Sequence, residues 1–447
     1  MTQTWFDTVI LGDSLAGRVA GALVARRGSR VLCLRPSGEL DPPNWFLSSL
    51  VLERLLEQLD GASVLTRPQR FQYLADPVRL DFHGRTTLTE ELRREYADNA
   101  GQTESALGDF TDFGNKLSEL LWDTGGLPFA GAKARLRFAA RCLRRGLGGN
   151  RLDQPLKERL DSPLPPAAAD LLGGLLPALA LTPADRLTVG EAALLWHGAM
   201  RPRGVSFAGL DELLLRRFRQ FHGEEDDLGR LESIEGGGRQ PLRLAMKNGR
   251  PVGAGHLLLA GASLTGTPFP TAVDIPETGP HSGSATIEAG DRLSPILADH
   301  VILGGNHPLR LSLAGSPADR RAEVEWAGSW RQSELTDRLR RLMPFVEVDL
   351  EFPPAGDQGY LAPGLAAAAK RAVAGKNIHW CGPMVLPALG TVGEVLAGFS
   401  AASTLLAGEK SSSSRTENSA AENKKDAFAE SAGKSRQGCR RCKSSTW

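Results

Sequence analysis

Two glycine-rich runs stand near opposite ends of the 447-residue chain, and both carry residue types and spacings that hold a phosphate against backbone N–H groups. The first is Gly12-Asp13-Ser14-Leu15-Ala16-Gly17; the second runs from Gly382 through Gly390, Thr391, Val392 and Gly393 to Gly398. In a G-x-G-x-x-G turn the first glycine makes the bend, the second lets the backbone approach a pyrophosphate, and the third lets helix and strand pack closely. The free amides and dipole at the helix N-terminus then favour the anion. Gly12 and Gly17 fill the first and third places, and Ser14 occupies the second. Its hydroxyl is a candidate phosphate donor, while its Cβ narrows the approach. Arg35 stands where an acid about 20 residues after the glycines would accept ribose hydroxyls. Arginine has only donors.

The flanking pattern supplies the elements these residues need. Thr8 to Leu11 is a short apolar run suited to a strand buried on both faces. Leu15, Val19 and Leu23 recur at helical spacing, Gly28 offers a helix stop, and Val31 to Leu34 is a second buried strand. This is a β-α-β unit. Asn377 to Gly382 reads as another strand entering a glycine loop and a helix, with Val395, Leu396, Phe399, Ala402 and Leu406 as its buried face. Between them, Arg203 to Gly209 leads into Leu210, Leu213, Leu214, Phe218 and Phe221 at helical spacing. Leu231 to Ile234 reads as a strand; Leu242, Leu244 and Met246 alternate, Asn248-Gly249 is a hairpin turn, and His256 to Ala260 returns as a strand.

The closing segment, with Gly382, Pro387, Gly390, Gly393, Gly398 and Ala401-Ala402, resembles the C-terminal motif of phytoene desaturases and related flavin amine oxidases. The central helix and return strand, and the helix over Leu335, Leu339, Leu342 and Met343 before Pro344, are similar to that family as well. The resemblance implies an α/β protein with a discontinuous Rossmann-type FAD/NAD(P)-binding domain and a second, mixed α+β substrate domain. It assigns 1–75, 200–265 and 370–407 to the cofactor domain and 76–199 and 266–369 to the substrate domain. It implies FAD, held by Gly12, Ser14, Leu15, Ala16, Gly17, Arg35, Gly382, Gly390, Thr391, Val392 and Gly393, and oxidation of an apolar small molecule by hydride transfer. Departures stand beside it: Pro383 replaces the family's acid after the first glycine, and Arg35-Pro36-Ser37-Gly38-Glu39 replaces a Gly-Gly-Arg run. Two alternatives follow. Arg35, with Arg26, Arg27 and Arg30 nearby, would meet the 2′-phosphate of NADP, or the chain is a non-catalytic relative that binds no cofactor.

Composition bounds the rest. The chain is long enough for two domains, and its 41% hydrophobic content permits sizeable cores. A formal net charge of +1 gives no case for nucleic-acid binding. The opening Met1-Thr2-Gln3-Thr4-Trp5 lacks the basic and apolar regions of a secretory signal, and no run of about 20 uninterrupted apolar residues suggests a membrane span. A cytoplasmic protein is the expectation. Residues 408–447 are polar and read as a disordered tail; its Cys439 and Cys442 form half a zinc site at most.

Residues 76–200 offer fewer signals. Lys133, Arg135, Arg137, Arg141, Arg144 and Arg145 surround Leu136, Phe138, Ala140 and Leu143, which reads as a solvated basic helix or as peripheral contact with an anionic membrane. Leu171, Leu172, Leu175, Leu176 and Leu179 to Leu181 read as core or as an apolar tunnel. The eight histidines show no metal-binding spacing, so no metal is expected. His379, in an apolar strand before the closing glycines, reads as a core residue or as a neighbour of the flavin. The sequence names no catalytic residue.

Overall fold

The computed structural model describes residues 4–36, 43–261, 282–288, 297–348 and 363–407, apart from single residues and short runs within them. The polar tail with Cys439 and Cys442, the Gly38-Glu39 pair and Asn248 lie outside the described residues.

Strand β1 (Thr4–Leu11) is the axis of the larger sheet, and Val9, Ile10 and Leu11 are fully buried. It pairs in parallel with β2 (Val31–Arg35) on one side and β10 (Val252–Leu259) on the other. The sheet has seven strands in the order β7-β2-β1-β10-β9-β8, with β15 (Ile378–Trp380) also paired to β10. Here β7 is Glu224–Asp227, β8 is Leu231–Gly237 and β9 is Gln240–Met246. Parallel strands buried on both faces explain the continuous apolar runs. β9 and β10 run antiparallel, and Gly249 turns between them with φ 75°, a left-handed value that glycine takes without strain.

The second sheet has six strands in the order β11-β14-β13-β12-β4-β5. They are β4 (Phe71–Ala75), β5 (Val78–Phe82), β11 (Ser282–Glu288), β12 (His300–Leu303), β13 (Leu309–Ala314) and β14 (Arg321–Ala327). β4, which the 1–75 boundary assigns to the cofactor domain, instead pairs with β12 of this sheet. A two-stranded link joins β3 (Leu65–Thr66) to β6 (Gly204–Val205).

Helix α1 (Leu15–Arg26) follows β1 directly. α2 (Leu50–Gln58), α3 (Arg85–Glu95), α4 (Ala100–Thr124), α5 (Ala132–Arg144), α6 (Leu156–Leu160), α7 (Pro166–Ala180) and α8 (Val189–Ala199) fill the stretch between the sheets' first strands and β6. α9 (Phe207–Gln220) buries Leu210, Leu213, Leu214 and Phe218 and packs on α1. α10 (Gln332–Leu342), α11 (Leu365–Arg371) and a closing helix, α12, over 390–407 complete the fold. The α7 leucines are buried in the main core, so side-chain packing accounts for them. In α12, Leu405 takes the fully buried place expected of Leu406, which is half-buried. The segment Pro387–Ala407 is apolar and long enough to cross a membrane by composition, but most of it is buried inside the fold.

Candidate dinucleotide site

The two glycine units meet at one point, the N-terminus of α1. Gly12 leaves β1 with φ 109°, and its N–H donates to the Leu34 carbonyl at 2.8 Å. A Cβ there would collide with the backbone of Gly261 after β10, so only glycine lets the two loops touch. Ser14 is the N-cap of α1: its hydroxyl accepts from the Gly17 N–H at 3.3 Å, and its own N–H donates to the Ala260 carbonyl at 3.0 Å. Gly17 packs α1 onto the end of β10, where an added Cβ would stand 2.6 Å from the Ala260 side chain. Ser14 therefore uses its hydroxyl as an acceptor on its own helix, an N-cap role that leaves its O–H donor unused by this bond.

From the other end, β15 leads into Gly382, which lies against the Gly261 carbonyl, and then into α12. Gly390 has φ 50° at the start of α12, and the Thr391 hydroxyl accepts from the Leu47 N–H at 3.3 Å. Val392 packs beside Gly198 of α8, and Gly393 lies against the Leu386 carbonyl. Gly398 meets the Ala16 carbonyl so closely that a Cβ would collide with it. The missing side chain lets α12 lie backbone-to-backbone on the first turn of α1.

One helical turn before Gly398, the half-buried Glu394 reaches the N-terminal amides of α1. Its carboxylate accepts from the Leu15 and Ala16 N–H groups. Burial pushes its pKa up to about 7, the two amide bonds oppose that shift, and Asp13 adds to it. With Gly17 bonded to Ser14, the first-turn donors of α1 are satisfied within the chain. A carboxylate at a helix N-terminus has the same electrostatic rationale as a phosphate there.

Beside this point a cleft opens between α1, β2, β7 and α9, lined among others by Gly12, Arg18, Cys33, Arg35, Phe218 and Glu225. Arg35, at the end of β2, does not point at an empty ribose seat. It pairs with Glu225 of β7 at 2.9 Å, and Glu225 also takes a 2.6 Å contact from Arg219. An acid is thus present at this end of the sheet, supplied by the neighbouring strand and lining the same cleft. Arg18 is 8% exposed and contacts Asp211 of α9 at 2.6 Å. Burial lowers the pKa of its guanidinium, with Asp211 opposing, and its Nε has no hydrogen-bond partner among the described residues. Asp211 supplies the anionic partner that a buried arginine needs, and the Nε donor is left over beside the cleft.

Glu394, Arg18 and Glu225 are absent from the sequence-derived site. Arg18 carried a signal, as a charge directly after Gly17 that stands alone among apolar residues until Arg26 at the end of α1. Glu394 and Glu225 carried none, since only the packing of α12 on α1 and of β7 on β2 brings them in. His379 is buried in β15, its ring centroid 6.2 Å from that of His256; burial first, and His256 second, lower its pKa to about 4. It is a neutral core group. Among the described residues no three His, Cys, Asp or Glu side chains gather as a metal site.

The groups gathered here are of the kinds a dinucleotide meets, helix amides, an arginine and a carboxylate, but each is already engaged within the chain: the amides by Glu394 and Ser14, Arg18 by Asp211, and Glu225 of β7 by Arg35 and Arg219.

No protein-family model matches the chain, and no curated protein matches it in sequence. Solved structures do match. Cyclohexylamine oxidase from Brevibacterium oxydans is 14% identical with a TM-score of 0.54, covering 91% of this chain and 99% of its own. Putrescine oxidase bound to putrescine is 12% identical with a TM-score of 0.55, covering 91% and 100%. An oxidoreductase from Methanosarcina mazei is 12% identical with a TM-score of 0.54, covering 88% and 98%. At such identities the likeness concerns the fold, and it does not single out phytoene desaturases. The chain has an α/β fold similar to that of these amine oxidases, a Rossmann-type domain joined to a second domain.

Proposed function

We propose that the chain is an FAD-dependent oxidoreductase acting on an apolar small molecule that carries an oxidisable C–N or C–C bond. The observation that carries this reading is the convergence of both glycine units on the Leu15 and Ala16 amides, which already hold an anion, the Glu394 carboxylate. The adenosine half of the cofactor would lie along Gly12, with Glu225 accepting ribose hydroxyls and Arg18 facing the phosphates. FAD bound there would supply the hydride acceptor for oxidation of a C–N or C–C bond, with the second proton released to water. The residues of this chain bind, orient and exclude water. The NADP alternative is weakened, because Arg35 is already neutralised by Glu225.

A second reading, a binding or scaffold protein without flavin, is favoured by the same contact seen from the other side, since Glu394 fills the phosphate seat. Equilibrium dialysis of the full chain against FAD, NADP and NAD separates these. Selective retention of FAD supports the oxidoreductase; retention of none supports the binding protein; preference for NADP over both would overturn each.

A further inference from the structure

Resting on the dinucleotide reading of this site, we propose that Glu394 is an internal ligand of the phosphate seat, a built-in competitor that a dinucleotide must displace. Three features bring it there. The glycine contact between Gly398 and the Ala16 carbonyl pins α12 against the first turn of α1. Glu394 stands one turn nearer the N-terminus of α12, over the Leu15 and Ala16 amides. Ser14 removes the remaining competitor for its attention by binding the Gly17 N–H itself.

The contact depends on the charge of Glu394. The carboxylate is a strong double acceptor; the neutral acid holds the same amides weakly. The titratable groups facing it are Asp13 on the glycine turn and the Cys381 thiol after β15. Neither is a cation that would keep Glu394 ionised. A pyrophosphate therefore competes best when Glu394 is protonated, and its affinity falls by up to about tenfold per pH unit above the titration of Glu394.

The test uses the full-length chain with 15N-labelled leucine and alanine, between pH 5.5 and 8.5. The Leu15 and Ala16 amide signals are expected to titrate together in the wild type and to stay flat in Glu394→Gln. In parallel, FAD and ADP are titrated at pH 8, where Glu394→Ala is expected to bind at least tenfold more tightly than wild type. Amides that ignore pH in the wild type overturn the internal ligand. Wild type binding FAD at pH 8 as tightly as Glu394→Ala also overturns it, while leaving the FAD reading standing. Titrating amides with no FAD or ADP binding in any form uphold the internal ligand and sink the FAD reading instead.

A different observation carries a second inference. Helix α5 contains Lys133, Arg135, Arg137, Arg141 and Arg144 and no acid. Cys142 is buried, and Phe138 packs on the core. Leu136 and Leu143, two turns apart, are 73% and 71% exposed. Lys133, Arg135, Arg137 and Arg144 form no ion pair among the described residues. We infer that this face docks on an anionic lipid surface: leucines flanked by unpaired cations suit the headgroup boundary, and charge complementarity selects acidic lipid. Co-sedimentation with phosphatidylcholine vesicles, with and without phosphatidylglycerol, reads it out. Binding only with the acidic lipid, lost in Leu136→Ser/Leu143→Ser with unchanged melting, is expected. No binding to either vesicle, or equal binding to both, overturns it.

Discussion

Arg35 at the end of β2 and Glu225 on the adjacent strand β7 form an ion pair 2.9 Å long, with Glu225 shared by Arg219. Each is less than one-quarter exposed, with side-chain exposures of 23% and 18%. In the sequence Arg35 looks like a misplaced ribose contact, and Arg35→Glu looks like a repair. In the fold that exchange would set two carboxylates against each other. We expect Arg35→Glu to lower stability by about 1–2 kcal/mol, since like charges across neighbouring strands repel. Urea unfolding checks this; an unchanged or higher midpoint would show that the pair is not formed.

Gly398→Ala forces a methyl into the Ala16 carbonyl. The backbone of α12 must retreat from α1, and overpacking of this kind costs about 1–3 kcal/mol. Thermal melting measures the loss, and a neutral result would mean that the two helices are further apart than described.

Stability should also depend on pH through Glu394. Its folded-state pKa of about 7 lies above the ordinary glutamate value of 4.5. The folded state therefore binds the proton more tightly than the unfolded chain does. The stability it contributes is complete below about 4.5 and is lost as pH rises to about 7. Relative to Glu394→Gln, wild type should lose stability across that window and run parallel above it. A difference that is constant from pH 4.5 to 8 would contradict the shift.

Leu136→Ser and Leu143→Ser should each change folding stability by no more than about 0.5 kcal/mol, because both side chains are already in solvent. Chemical denaturation decides this, and a cost of several kcal/mol would place α5 against something inside the fold.

Much of the scaffold was legible in the sequence because local signals carry it. Gly12, Ser14 and Gly17 mark the turn, Val31 to Leu34 the second strand, and Leu210 to Phe218 the return helix, each through spacing alone. What was not legible depends on contacts between distant segments. Nothing near Phe71 signals that β4 leaves the first sheet to pair with β12, because a short apolar strand fits either. Nothing near Gly393 signals that Glu394 will reach the amides of a helix at the other end of the chain. The acid missing from β2 likewise arrives on β7 as Glu225, a pairing no local pattern encodes.

The most direct test of the site is the visible absorption spectrum of purified wild type and Glu394→Ala after incubation with FAD and gel filtration at pH 8. Flavin bands should co-elute strongly with Glu394→Ala and weakly with wild type. Both proteins emerging colourless would contradict the assignment of this seat to FAD.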